Sequence, residues 1–148
     1  MGRSQARTAR QRFLARGASL GLRASGVNGL IQQVERGLPF KALQSLERYS
    51  GIAAPTIAAT IAIPQRTLAR RRASGRLSRE ESDRLLRLST VFEKTVDLFE
   101  GDVAAAVRWL TTGQTALAGG VPLEYCRTEV GAREVEDLIG RLEYGVFA

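Results

Sequence analysis

Hydrophobic residues recur at helical spacing along most of the chain. Spacings of three and four residues place them on one face of successive helices, and no stretch alternates polar and apolar residues as a half-buried strand does. The sequence therefore predicts an all-α protein. The predicted inward-facing stripes are Val27, Leu30, Ile31 and Val34; Phe40, Leu43, Leu46 and Tyr49; Leu85, Leu88, Phe92, Val96 and Phe99; Val103, Ala106, Val107 and Leu110; and Val135, Leu138, Ile139 and Leu142.

Two short helices flank Pro64, and the second of them is rich in arginine. The first begins at Pro55, and Ile57 and Ile61 share one of its faces. A proline cannot continue a preceding helix, so a second helix starts at Pro64 and turns Leu68 inward. Two short helices around a three-residue turn are typical of a helix-turn-helix. A solvated basic helix in an ordinary all-α domain is the alternative.

The polar face of that second helix carries side chains suited to DNA. In the major groove, Gln pairs with adenine and Arg with guanine, and Gln65 and Arg66 stand at the start of the helix, with Arg70 one turn later. Arginines that point away from this face suit phosphates, which fix register without reading sequence. The predicted DNA-binding residues are Gln65, Arg66, Thr67, Arg70, Arg71 and Arg76, with Arg72 as a further phosphate candidate.

Longer helices are predicted in the second half. Ser78 and Glu81 have the spacing of a capping box, so the longest helix starts there and runs to about residue 99. Asp102 and Thr128 are the predicted caps of two further helices. A turn-rich loop containing Gly119 joins these two, and one short helical turn is expected after it. The longest helix is the predicted link between two modules.

Charge is unevenly distributed between the halves of the chain. Residues 1–90 hold 17 basic and 5 acidic side chains, a net charge of +12, whereas residues 91–148 hold 5 and 10, a net charge of −5; together these give +7. A basic half around a helix-turn-helix is typical of a nucleic-acid binder, and the acidic half would be repelled by the same polyanion. The sequence therefore predicts two modules with different partners, a DNA-binding domain at residues 26–90 and a second domain at 91–148.

Residues 1–25 contain six arginines and no acidic residue. This composition predicts a flexible basic arm that lies along DNA phosphates or in the minor groove. A transit peptide and a solvated tail without a partner are the alternatives.

Composition also argues against several classes of protein. No apolar run approaches 18 residues, so no membrane span is expected. The absence of a secretory segment and the single cysteine, Cys126, indicate a reducing cytoplasm. With no histidine, no nucleophile–base pair and no glycine-rich phosphate loop, we expect no metal, no cofactor and no small-molecule substrate. An enzyme is the weakest of the alternatives.

Seven motifs stand out along the chain: Ile63-Pro-Gln-Arg-Thr-Leu-Ala-Arg-Arg, Leu77-Ser-Arg-Glu-Glu-Ser-Asp-Arg-Leu, Phe99-Glu-Gly-Asp, Ala106-Val-Arg-Trp-Leu-Thr-Thr, Leu117-Ala-Gly-Gly-Val-Pro-Leu-Glu, Thr128-Glu-Val-Gly and Ile139-Gly-Arg-Leu-Glu-Tyr-Gly-Val-Phe-Ala. Together they resemble the Xre/MbcA/ParS-like antitoxins of bacterial type II toxin–antitoxin pairs, and the resemblance covers about residues 27–148. The chain departs from the family at Pro64, where a serine-like cap is frequent, and the arginine-rich arm lies outside the family pattern.

This resemblance implies an Xre-type helix-turn-helix domain followed by a small helical toxin-binding domain that starts near Val91. It also implies a homodimer that represses its own operon through operator DNA and neutralises a cognate toxin encoded by the adjacent gene. Partner toxins of the family are commonly RES-domain enzymes that degrade NAD, or related ADP-ribosylating proteins. A stand-alone helix-turn-helix repressor, with a small ligand or no partner, is the competing hypothesis.

The toxin-binding domain has a predicted apolar surface rimmed by acids, which suits a basic partner face. We expect the chain end, from Tyr144 onward, to block the mouth of the toxin's active site. Simple packing of Trp109 and Leu142 in a core is the alternative. The predicted toxin-binding residues are Trp109, Leu117, Pro122, Leu123, Arg141, Tyr144, Val146, Phe147 and Ala148.

Overall fold

A computed structural model describes residues 10–23 and 26–145 of the chain. Within these residues there are eight α-helices and no strand, which confirms the all-α prediction; two isolated antiparallel bridges join Arg10 to Asp102 and Pro39 to Arg76. None of the described helices is long and apolar enough to cross a bilayer. The helices are α1 (Gly26–Arg36), α2 (Phe40–Ser50), α3 (Ala54–Thr60), α4 (Gln65–Ser74), α5 (Arg79–Leu98), α6 (Val103–Leu110), α7 (Pro122–Tyr125) and α8 (Glu129–Glu143).

The long helices begin where local capping chemistry predicts. At the start of α5, Ser78 Oγ accepts from the Glu81 backbone N–H at 3.1 Å, and Glu81 Oε1 accepts from the Ser78 N–H at 2.7 Å. These two bonds complete the predicted capping box. Asp102 and Thr128 cap α6 and α8 in the same way, each accepting a backbone N–H at 3.0 Å.

Helix α5 is the centre of the hydrophobic core. It packs against α1 and α2, which precede it in the sequence, and against α6 and α8, which follow it. Leu85, Val91 and Val96 are at most 1% exposed, and Phe92 is 2% exposed. Apolar residues of both predicted modules therefore meet in one continuous core around this helix.

The pair α3 and α4 forms the predicted helix-turn-helix. Ile57, Ile61 and Ile63 are buried, and the Ile63 N–H donates to the Ala58 carbonyl at 2.8 Å across the turn. Pro64 precedes the first residue of α4 and offers no side-chain cap. Helix α4 therefore begins one residue later than predicted.

Helix α1 differs from its predicted stripe. Leu30 is buried and Val34 packs against the core, but Val27 is 68% and Ile31 47% exposed. Both exposed residues border a groove of about 650 Å³ between α1 and α5. The helix therefore buries only part of its predicted apolar face.

Residues 10–23 are packed against the domain, and the prediction of a flexible arm is wrong for them. We call residues 10–21 the strap. The Phe13 ring lies 5.3 Å from that of Tyr49 on α2 and 5.6 Å from that of Phe92 on α5. Leu20 is 3% exposed within a short 3₁₀ helix, Ala18–Leu20. Apolar side chains spaced between the arginines pull this segment onto the core. Residues 1–9 of the predicted arm lie outside the described residues.

Polar contacts fasten both ends of the strap. At one end, the Gln11 N–H donates to the Gly101 carbonyl at 2.8 Å, and a Cβ at Gly101 would come within 2.9 Å of the Gln11 oxygen. At the other end, the N–H groups of Gly17 and Ser19 donate to the Glu93 carboxylate at 3.2 and 3.0 Å, and the Ser19 hydroxyl donates to it as well. The strap therefore spans from the α5–α6 turn to the face of α5 that meets α2.

Candidate DNA-binding and toxin-binding surfaces

The predicted base-reading residues lie together on the solvent side of α4. Gln65, Arg66 and Arg70 are exposed, whereas Leu68 is 6% exposed and holds the helix against α3. Thr67 is half-buried beside this face. The arrangement leaves two guanidinium groups and one amide on an open helix face, the chemistry that reads guanine and adenine edges.

Arg71 has a partner inside the protein. Its Nε donates to Glu81 Oε1 at 2.8 Å, the same oxygen that completes the capping box of α5. Burial favours the neutral form of Glu81, but the hydrogen bonds from Arg71 and Ser78 outweigh it and lower the pKa of this carboxyl. Arg71 thus joins the end of α4 to the start of α5, a structural role beside the predicted phosphate contact.

Arg76 follows α4 and is exposed. Its Nη1 donates to the Gly37 carbonyl at 2.6 Å, so the side chain lies against the turn between α1 and α2. Arg72 lies over the Phe40 ring, 5.6 Å from its centroid. Both arginines are therefore held in place at the carboxyl end of α4, next to the predicted reading face.

Three of the predicted toxin-binding residues are part of the core. Leu117, Pro122 and Leu123 are buried, and the Tyr125 hydroxyl donates to the Leu117 carbonyl at 2.9 Å, which closes the loop on itself. These residues shape the loop between α6 and α7, and the apolar surface predicted there is mostly covered. Trp109 is half-buried and packs against the core, which partly matches the alternative that it is a core residue.

Helix α8 presents the exposed surface of this module. Five residues, spaced alternately four and three positions apart, lie on its outward side, and all five are exposed. Val130 and Tyr144, 76% and 82% exposed, stand at the two ends of this row. We call the row the α8 outer face; it comprises Val130, Glu134, Asp137, Arg141 and Tyr144.

The described part of the chain ends next to this face. Tyr144 follows α8 directly, and Gly145 adopts a left-handed backbone conformation with φ of 66° that turns the chain away from the helical path. Val146, Phe147 and Ala148, which complete the predicted blocking tail, lie outside the described residues.

The thiol of Cys126 is buried, and this burial raises its pKa to about 12. A thiol in that state is neutral at physiological pH and is a poor nucleophile.

Sequence reasoning missed several residues that organise these surfaces. Glu93 and Ser19, which fasten the strap, gave no local signal because they lie 74 positions apart. Val130 did give a signal, since the helical period that sends Val135 and Leu138 inward leaves it outside. Arg36 and Lys41 give no signal in the apolar pattern, because they are exposed polar positions of α1 and α2.

Comparisons with known proteins match both modules. The family described as "Antitoxin Xre-like helix-turn-helix domain" matches residues 29–89. The family described as "Antitoxin Xre/MbcA/ParS C-terminal toxin-binding domain" matches residues 94–145. The strap precedes both matches.

Two curated relatives, both named Antitoxin Xre, support the same assignment. The relative from Yersinia enterocolitica is 39% identical over 130 residues, which is 87% of this chain and 88% of the relative. The relative from Photorhabdus laumondii is 32% identical over 114 residues, 76% of this chain and 77% of the relative. Together with the helix-turn-helix and the small helical domain seen in the structure, these matches show that the chain belongs to the Xre/MbcA/ParS-type antitoxin family, with an Xre-like helix-turn-helix domain followed by a toxin-binding domain.

Proposed function

We propose that this protein binds and neutralises a toxin encoded by the adjacent gene and represses its own operon. One observation carries the proposal. A basic reading face and an acidic partner face occupy different helices of one chain, with Arg66 and Arg70 exposed on α4 and Glu134 and Asp137 exposed on α8. Surfaces of opposite charge favour different partners, a polyanion for the first and a basic protein for the second.

The toxin contact is assigned to the α8 outer face and the chain end. Helix α8 carries five acidic and two basic residues, so its field attracts a basic surface. The exposed Val130 and Tyr144 supply apolar anchors at its ends, and aromatic anchors are frequent among the residues that dominate binding energy. The family resemblance favours a RES-domain enzyme that degrades NAD as the toxin. In this proposal the antitoxin itself performs no catalysis.

Operator binding is assigned to α4, acting in a homodimer in the cytoplasm, where the operon lies. Helix-turn-helix dimers bind half-sites separated by about 34 Å along the DNA, so two copies of α4 would read a two-fold symmetric operator. The exposed Gln65 and Arg66 at the start of α4 suit that geometry.

Co-expression tests the antitoxin role. The neighbouring gene is induced alone and together with this protein, and growth is followed. We expect growth arrest in the first case and recovery in the second. A harmless neighbouring product, or arrest that persists when this protein is made, would contradict the proposal and favour a stand-alone repressor.

A truncated protein tests the blocking tail. Deletion of residues 144–148 should abolish recovery while leaving operator binding intact, because α4 belongs to the other module. Full recovery with the truncated protein would exclude the tail as the blocking segment.

Substitutions in α4 test the reading face. Arg66→Ala or Arg70→Ala should cost about 1–3 kcal/mol of specific binding, the typical value of one bidentate contact with guanine. Binding to operator and to scrambled DNA is compared at one fixed salt concentration. Unchanged discrimination would show that α4 does not read the operator.

A further inference from the structure

Four exposed cations gather where the carboxyl end of α4 meets the turn between α1 and α2. Two of them, Arg72 and Arg76, belong to α4 and the residues after it. The other two come from helices that precede the helix-turn-helix pair. We call this group the basic cluster; it comprises Arg36, Lys41, Arg72 and Arg76.

Backbone pairing holds the cluster together. The Phe40 N–H donates to the Gly75 carbonyl at 2.8 Å, and the Leu77 N–H donates to the Leu38 carbonyl at 2.9 Å. Gly37 makes this approach possible, because its φ is 82° and a Cβ there would lie 2.3 Å from the Leu77 oxygen. The turn between Arg36 and Lys41 is therefore fixed against the end of α4.

Side-chain contacts order the cluster further. Arg76 Nη1 reaches the Gly37 carbonyl at 2.6 Å and the Arg36 carbonyl at 3.5 Å. Arg72 packs over Phe40, the residue next to Lys41. Two of the four cationic side chains, Arg72 and Arg76, thus have defined positions before any ligand arrives, which reduces the entropy lost on binding.

The cluster is continuous with the reading face of α4. Arg72 follows Gln65 by seven residues, so the two lie two turns apart on the same flank of the helix. The flank of α4 that carries Gln65 therefore continues, past the end of the helix, into the positive charge contributed by α1 and α2.

No carboxylate forms an ion pair with this cluster within the described part of the chain. None of the four cations takes part in an ion pair there, whereas the neighbouring Arg71 is paired with Glu81. Four like charges in one patch repel each other, so the arrangement costs stability unless an anion is bound. An extended polyanion beside a reading helix is the phosphate backbone of DNA.

We propose that the basic cluster is a phosphate clamp, in which Arg36 of α1 and Lys41 of α2 grip the DNA backbone beside the groove that α4 enters. This proposal rests on the proposed operator binding and adds to it two residues outside the helix-turn-helix pair. The clamp fixes the register of α4 on the duplex and reads no sequence.

Salt dependence tests the clamp. Full-length Arg36→Gln/Lys41→Gln protein is titrated with DNA from upstream of its own gene and with a scrambled duplex, over a range of KCl concentrations. Each lost phosphate contact makes the slope of log K against log salt less steep by about 0.9, so we expect a change of about 1.8. Affinity should fall by the same factor on both duplexes, which leaves their ratio unchanged.

A matched variant controls for net charge. Arg108→Gln/Arg127→Gln removes two exposed arginines from the second module. Its salt slope should equal that of the unmodified protein. If the cluster variant has the same slope as this control, the clamp is excluded.

Melting without DNA separates binding from folding. Removing mutual repulsion should raise the Tm of the cluster variant at low salt; a lower Tm would mean that the cations stabilise the fold and would count against the clamp. Arg66→Ala keeps the two proposals distinct. If Arg66→Ala still discriminates fully between operator and scrambled DNA while the cluster variant changes the salt slope, the reading face is excluded and the clamp is supported. If Arg66→Ala loses discrimination while the cluster variant keeps the salt slope of the control, only the clamp is excluded.

Discussion

Glu93 is a buried carboxylate whose hydrogen bonds are made by the strap. Removing a charged carboxylate from water is expensive, and the N–H groups of Gly17 and Ser19 offset part of that cost. Burial raises the pKa of Glu93 above its ordinary value of 4.5, although the Ser19 and Gly17 hydrogen bonds and the charge of Arg16 oppose the rise. The folded state therefore binds this proton more tightly than the unfolded state.

The pH dependence of stability follows from that difference. The contribution of Glu93 is largest below about pH 4.5 and is lost as pH rises through the raised pKa of the folded state. We expect the free energy of unfolding of the unmodified protein, relative to Glu93→Gln, to fall as pH increases over this interval. Denaturant unfolding at a series of pH values measures it.

Asp97→Asn is the control, because Asp97 is exposed one turn later on the same helix. This variant should keep the pH dependence of the unmodified protein. A flat difference between the unmodified protein and Glu93→Gln, or one that grows with pH, would contradict the account of Glu93.

At the scale of elements, the turn of the helix-turn-helix contains a strained residue. Ala62 has a φ of 60°, in the left-handed region where glycine is favoured over residues with a Cβ. The turn is nevertheless well fixed, since Ile61 and Ile63 on either side are buried and Arg84 Nη1 donates to the Ile61 carbonyl at 3.3 Å. The surrounding packing imposes the conformation on Ala62.

Substitution of Ala62 by glycine should therefore stabilise the protein. Relief of the Cβ clash favours the variant by about 1 kcal/mol, reduced somewhat by the greater freedom of glycine in the unfolded chain. Ala59→Gly, the same change at an exposed position of α3, should cost about 1 kcal/mol. Thermal unfolding of both variants decides the point, and a loss of stability in Ala62→Gly would contradict the proposed strain.

Helix positions were predictable because their signals are local. The caps at Ser78, Asp102 and Thr128 act within three residues, and each helix starts directly after them. The burial of Leu117 and Leu123 was not predictable, because apolar residues in a glycine-rich loop suit a binding surface as well as a core. Only the contact of Tyr125 with the Leu117 carbonyl, which depends on the path of the loop, decides between them.

At the scale of the whole molecule, the strap joins both modules across α5. Arg10 and Gln11 contact the turn before α6, whereas the carbonyl of Ser19 accepts from the Ser45 hydroxyl of α2 at 2.9 Å. Its arginine-rich composition indicated an arm on DNA, because such composition is typical of nucleic-acid tails. The contacts that fix it connect residues 26 to 90 positions apart and leave no trace in a local pattern.

Two adjacent residues of the strap test its importance for the fold. Phe13 packs on Tyr49 and Phe92, while Leu14 is 88% exposed. Phe13→Ala should lower the free energy of unfolding by about 2 kcal/mol, less than the 3–5 kcal/mol of a fully buried phenylalanine. Leu14→Ala should change it by less than about 0.5 kcal/mol. Equal effects of the two substitutions in denaturant unfolding would show that the strap does not hold the modules together.

The two modules share one core but carry their candidate partner surfaces on different helices. Helix α4 lies before α5 in the chain and α8 lies after it, and α5 packs against α8 but not extensively against α4. The proposed toxin neutralisation and operator binding should therefore be separable by substitution, even though both modules pack around α5.

Growth of cells that express the neighbouring gene from an independent promoter is the most direct test of that claim. Arg66→Ala/Arg70→Ala protein, which should have lost operator recognition, is predicted to restore growth as fully as the unmodified protein, and protein lacking residues 144–148 is predicted to restore none. Loss of protection by the α4 variant, or full protection by the truncated protein, would contradict the account.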